Sequence, residues 1–249
     1  MVNTPISDNS LNMSFGRRSL LKTASGAFGF ASIAFSMQSE RTPESALNKE
    51  QRDRLTPDDI INEMKLGNER FRTGKPRPHN YVAQKRSSST GQYPAAIVLG
   101  CIDSRAPGEI ILDTGIGYTF NARIAGNVVN DDVLGSMEFA CAVAGAKVVL
   151  VLGHTACGAI KGAIDDVEMG NLTGLLARVK PAITATVYDG EKSSKNEAYV
   201  DAVARSNIVH ATGVIRDRSK ILADLENKGS LKIVGAMYDI TTGVVTFLS

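Results

Sequence analysis

Tryptophan is absent from this chain of 249 residues, cysteine and histidine occur three times each, and aromatic side chains make up only 6% of it. Three cysteines are too few, and an odd number, for a disulfide framework. Net charge is also scarce: 28 basic residues face 26 acidic ones, and the counts become equal once Arg17, Arg18, Lys22 and Asp8 near the amino terminus are set aside. Without net basic charge, tryptophan or a stripe of basic and aromatic residues, a nucleic-acid partner has no support. There is no internal repeat or low-complexity block. What is present is 43% hydrophobic residues, in a length that calls for one domain with a sizeable core.

The segment SFGRRSLLK (14–22) sets two arginines before an apolar stretch, 23–37, that is too short and too rich in Gly, Ser and Ala to span a bilayer. It resembles a twin-arginine export signal. Ala34 and Ser36, on either side of Phe35, offer the small residues of an A-x-A-like pattern for cleavage after Ser36, so 1–36 reads as the signal peptide. That implies the export machinery as a partner and the periplasm or another extracytoplasmic space as the destination. Residues 37–55 are polar and read as a linker, leaving 56–249 as the folded domain.

Within that domain, Thr56, Pro57, Asp58 and Asp59 supply an N-cap, a proline at the first helical position and acids in the first turn, for a helix through Phe71. AAIVLG (95–100) and AKVVLVLG (146–153) are short apolar runs rich in β-branched residues and bounded by glycine. With helical stretches between them they predict buried strands of a mainly parallel α/β sheet flanked by helices. Asn130 caps the intervening helix. Cys157 opens another, 172–188 is helical with a break at Pro181, and 196–227 is a long helical region closed by Gly229. The chain ends on two strands around a Thr-Gly turn.

Cys101 directly follows the first apolar run, and His154 and Cys157 the second. Ligands of open α/β sheets collect beyond the carboxyl ends of strands, so two parallel strands deliver these residues to one rim. Two thiolates and one imidazole are three zinc ligands, the number for a site whose fourth position stays open. Cys157 at a helix start favours the thiolate that zinc requires. A lone H-x-x-C is usually incidental packing; the strand ends bring these three together. Cys141 sits on the apolar helical face formed with Met137, Ala140 and Ala144 and reads as core. His79 and His210 have no spacing that ties them to the rim. Gly153 to Gly158 follows a strand as a phosphate loop does, but Ala159 stands where the lysine is needed.

LGNERF (66–71), CIDSR (101–105), FNARIAGN (120–127), GSMEFA (135–140) and GHTACGAI (153–160) together make the chain similar to the β-class carbonic anhydrases over nearly all of 56–249. The resemblance implies zinc bound by Cys101, His154 and Cys157, with Asp103 and Arg105 as the catalytic dyad. It also implies a parallel-centred α/β fold with an N-terminal helical arm and a C-terminal strand pair, assembled as a homodimer or dimer of dimers. Gln92, Phe120 and Ala125 match the substrate pocket of the plant-like subtype, in which Phe139 replaces a tyrosine. The N–H of Gly158 at a helix start adds a donor for bicarbonate, and Arg123 reads as structural.

The expected reaction is the reversible hydration of carbon dioxide by zinc-bound hydroxide, zinc lowering the pKa of its water from about 15.7 towards about 7. Thiolate ligands donate more charge than imidazoles, so activity is expected to rise towards alkaline pH. Competing readings are a carbon disulfide or carbonyl sulfide hydrolase on the same scaffold, and a catalytically silent zinc or bicarbonate sensor.

Overall fold

The computed structural model describes residues 45–248, so the leader and its cleavage site lie outside the described residues. In chain order the elements are α1 (Lys49–Arg54), α2 (Pro57–Arg72), α3 (Tyr81–Ser88), β1 (Ala96–Gly100), α4 (Gly108–Ile111), β2 (Thr119–Arg123), α5 (Asp131–Glu138), β3 (Val148–His154), α6 (Gly158–Ile164), α7 (Gly170–Ala177), α8 (Lys180–Ala185), α9 (Glu197–Arg218), α10 (Lys220–Asn227), β4 (Lys232–Tyr238) and β5 (Val245–Phe247). None of these helices is long and apolar enough to cross a membrane.

The strands form one sheet in the order β2-β1-β3-β4-β5, parallel except for the last pair. From β1 the chain steps to β2 on one side and then returns to β3 on the other. That reversal makes the gap between β1 and β3 the switch point, where a crevice opens beyond the strand ends. Gly100 pairs with Leu152, so Cys101 and His154 leave neighbouring strands at nearly the same height. Alternation of side chains sends Ile97, Leu99 and Cys101 into a core with Ile160, Val203 and Ile208 of α6 and α9, and Val98 into another with Ile60, Met64 and Ile111 of α2 and α4. Both faces of the sheet are covered, as its continuous apolar strands require.

The Thr56 cap forms as the sequence predicts, with Thr56 and Asp59 bonding each other's backbone N–H. The stretch read as linker differs at its end: Ala46 and Leu47 are buried, and α1 starts at an Asn48–Gln51 capping box. Its polar sequence hides a packing role because the buried side chain is Arg52, which donates to the Ala144 carbonyl. Pro181 does not break the helical stretch where it stands. The break precedes it, and proline sits in the first turn of α8, where its missing N–H costs nothing. The long helical region 196–227 is likewise two helices. Ser219 ends α9 and caps α10, its Oγ accepting from Leu222 N–H and donating to Glu138.

LGNERF is a staple. A Cβ on Gly67 would lie 1.9 Å from the Leu112 carbonyl oxygen, so only glycine lets α2 approach there. Asn68 Nδ2 donates to the carbonyls of Ile111 and Gly243 while its Oδ1 accepts from Val245 N–H. Arg70 pairs with Asp113 and Glu63.

Candidate metal centre

The end of β1, the end of β3 and the start of α6 converge on Cys101, His154 and Cys157. Their ligand atoms all lie within 4.8 Å of one another, and all three residues are buried. His154 Nδ1 faces the Thr155 carbonyl oxygen at 2.9 Å. That bond places the proton on Nδ1 and leaves Nε2 as a lone-pair donor. Nε2 is buried without a hydrogen-bond partner among the described residues. Such an orphan is rare in a folded protein, and a metal ligand accounts for it. The residues therefore fit zinc, with three protein ligands and an open position.

Cys101 Sγ accepts from the Gly126 N–H at 3.4 Å. The neighbouring Cys157 thiol, together with His154 and that N–H, holds Cys101 down to about 4 against the opposing effect of burial. The Cys101 thiolate and burial in turn push Cys157 up, although the N–H groups of Ala159 and Ile160 pull the other way. The helix-start effect expected to ionise Cys157 is thus opposed by its neighbour. Binding a divalent cation requires both sulfurs as thiolates. Burial works to lower His154, but the Cys101 thiolate, the Thr155 carbonyl and Asp103 reverse the sign and raise it.

Asp103 stands at the mouth of the centre with Oδ2 3.8 Å from His154 Nε2. Arg105 holds it by three bonds: backbone N–H to Oδ1 at 2.9 Å, Nε to Oδ1 at 3.0 Å and an Nη2 bond to Oδ2 at 2.7 Å. This fork keeps the carboxyl far below the usual carboxylate range. Arg123, the last residue of β2, donates to the carbonyls of Cys101 and Asp103 at 2.9 and 2.6 Å. It shapes the CIDSR loop, in keeping with its structural reading.

A cavity of about 290 Å³ opens beside these groups, walled by Ala125, Gly158, Ala159, Leu172 and Leu176 with Cys101 and Asp103 on its floor. Ala125 and Gly158 are thus brought to the centre. Gln92 and Phe120 are not brought there. Gln92 is exposed ahead of β1, the strand whose other end carries Cys101. Phe120, paired with Ile97, lines a separate cavity of about 660 Å³ and meets Phe139 edge to face at 6.2 Å. Neither His79, bonded to Asp113, nor His210 on α9 lines the metal-side cavity. Cys141 is buried core, its thiol pushed up to about 12 by burial.

The role of Gly126 was not legible from residue types. Its φ of 66° aims a backbone N–H at sulfur, and a Cβ there would press on Ala159 at 3.3 Å. The signal lay in FNARIAGN, but backbone donors leave no mark of their own on a sequence.

The carbonic anhydrase family matches the chain over residues 96–245. Carbonic anhydrase 2 of Mycobacterium tuberculosis is 35% identical over 186 residues, covering 72% of this chain and 87% of that protein. The carbonic anhydrase of Mycolicibacterium smegmatis is 32% identical, covering 75% and 90%. Among solved structures, a tetrameric β-carbonic anhydrase of Sordaria macrospora superposes with a TM-score of 0.58 at 25% identity, over 65% of this chain and 83% of that one. With its parallel sheet and its Cys-His-Cys centre, the chain belongs to the carbonic anhydrase family and is an enzyme of its β class.

Proposed function

We propose that the protein interconverts carbon dioxide and bicarbonate with zinc held by Cys101, His154 and Cys157. The observation that carries this reading is the Asp103–Arg105 pair locked 3.8 Å from the free nitrogen of His154, at the floor of an apolar cavity. Zinc, when bound, supplies a Lewis acid that makes hydroxide available near neutral pH. Asp103, kept ionised by Arg105, accepts a hydrogen bond from the nucleophile and so turns the nucleophile's lone pair towards the substrate. Arg105 also occupies both carboxylate oxygens, which keeps Asp103 from taking the open coordination position. Ala125, Ala159, Leu172 and Leu176 offer apolar walls to a small uncharged molecule. The Gly158 N–H, in the first turn of α6, favours the anion that forms.

Gln92 and Phe120 lie towards the other end of the sheet from their own ligands. A strand of five residues spans about 16 Å at ~3.3 Å per residue, so they complete a pocket only from a second copy. A homodimer, or a dimer of dimers like the tetrameric relative, is the assembly that follows. The intact dyad speaks against a silent sensor, and nothing in the cavity favours carbon disulfide or carbonyl sulfide. The leader alone supports export to the periplasm; fractionation of cells expressing the full chain tests it, and an enzyme confined to the cytoplasm would refute it.

Stopped-flow hydration of carbon dioxide by the zinc-loaded protein tests the activity. Arg105→Ala is expected to keep one zinc per chain while kcat falls about 10- to 100-fold, the usual cost of losing a partner behind a metal site. Full turnover by that variant at normal zinc content would refute the roles given to the pair.

A further inference from the structure

Between His154 and Cys157 the chain passes through Ala156 at φ 53°. This left-handed conformation crowds the Cβ of any L residue, and it persists only where its surroundings impose it. The turn is what lets a strand-end imidazole and a helix-start thiol face one point. Two clamps hold it. On the β4 side, Thr155 N–H donates to the Tyr238 carbonyl at 2.9 Å and Thr155 Oγ1 accepts from Ile240 N–H at 3.0 Å. On the α9 side, Ala156 N–H donates to Asp201 Oδ1 at 2.9 Å.

Asp201 stands in the second turn of α9, beside Val200, Val203 and Ala204, which are buried in the core. The acceptor is therefore carried on a rigid element. Burial, with Glu197 and Asp239 nearby, raises its carboxyl, so the charge is placed here against a cost. An ionised acceptor bonds an N–H more strongly than a neutral one. None of the residues lining the metal-side cavity is Asp201, so it acts through the loop and not on the substrate.

We infer that Asp201 is a positioning residue of the metal centre: its carboxylate holds Ala156 left-handed and so aims Cys157 Sγ at the point shared with Cys101 and His154. This rests on the zinc reading above. Zinc affinity by chelator competition and the thiolate-to-cobalt absorption of the cobalt(II)-loaded protein test it, with thermal melting as the control for folding. D201A is expected to melt as a folded protein with zinc affinity lower by about 10- to 100-fold and altered cobalt bands. Part of that affinity should return in A156G/D201A, because glycine adopts the left-handed turn freely. Wild-type affinity and cobalt bands in D201A would overturn the assignment. Should D201A fail to fold, D201N decides: its neutral oxygen accepts more weakly, so lower zinc affinity and altered cobalt bands in a normally melting protein support the role, and wild-type affinity and bands overturn it. Failure of the zinc reading is distinct, since the wild-type chain would then bind no zinc.

Discussion

Asp113 shows how a charged residue can matter without touching the chemistry. Its side chain is 2% exposed and accepts from Arg70 Nε, from the Arg77 N–H and from His79 Nε2, while its own backbone sits at φ 47°. Burial alone raises its carboxyl, but the bonds from Arg70, His79 and Arg77 outweigh it and hold the group below its ordinary value. A depressed folded pKa means the ionised form stabilises the fold fully above the unfolded pKa of about 3.9, and the contribution is lost as pH falls through the lower folded value. Asp113→Asn keeps the shape and tolerates the positive φ, so it isolates the charge. It is expected to cost about 1–3 kcal/mol at pH 7, with the difference from wild type shrinking below pH 4. Urea unfolding at both pH values measures this, and a pH-independent difference would contradict it. At the same scale, Cys101, His154 and Cys157 were legible because ligand chemistry belongs to residue type. The opposite shifts of the two thiols were not, because they depend on how close the two sulfurs lie.

Among the elements, α2 is pinned by a close approach of backbone to backbone. A Cβ at Gly67 would stand 1.9 Å from a backbone oxygen and 2.8 Å from a backbone carbon of Leu112, atoms that cannot rotate aside. Gly67→Ala is expected to destabilise by about 1–3 kcal/mol or more, as overpacking does, even though alanine is the better helix former. Scanning calorimetry should show a lower Tm with zinc content unchanged, since α2 packs on the sheet face opposite Cys101; an unchanged Tm would deny the contact. The strands β1 and β3 and the α2 cap were readable because burial on both faces and capping write themselves into neighbouring residues. The edge strand β2 was not, because Thr119–Arg123 is half-exposed and mixes polar with apolar side chains without a clean alternation. The helix α1 escaped for the same reason, its buried member being an arginine.

For the molecule as a whole, two copies of the chain make a test that one cannot. If Gln92 serves the partner's centre, a chain carrying Gln92→Ala and a chain carrying Cys157→Ser are each weak alone, but mixed dimers join an intact centre to an intact Gln92. Refolding the two together should restore up to about half of the wild-type activity per mixed dimer, one of two sites being whole. Activity no higher than the sum of the separate variants would show that each centre uses its own Gln92. Three candidate metal-holding residues, the strands they follow and the acid and arginine beside them could be read from the chain's residues alone, because each is a local pattern of residue type and spacing. It took the folded chain to show that β1 and β3 are neighbours in register, that Asp103 faces His154 Nε2, that Ala156 turns left-handed with its N–H on Asp201, and that Gln92 and Phe120 lie away from the metal-side cavity of their own chain. Those relations join positions far apart in the chain, and they are set by strand order and by which face each side chain takes, which no short stretch of residues contains.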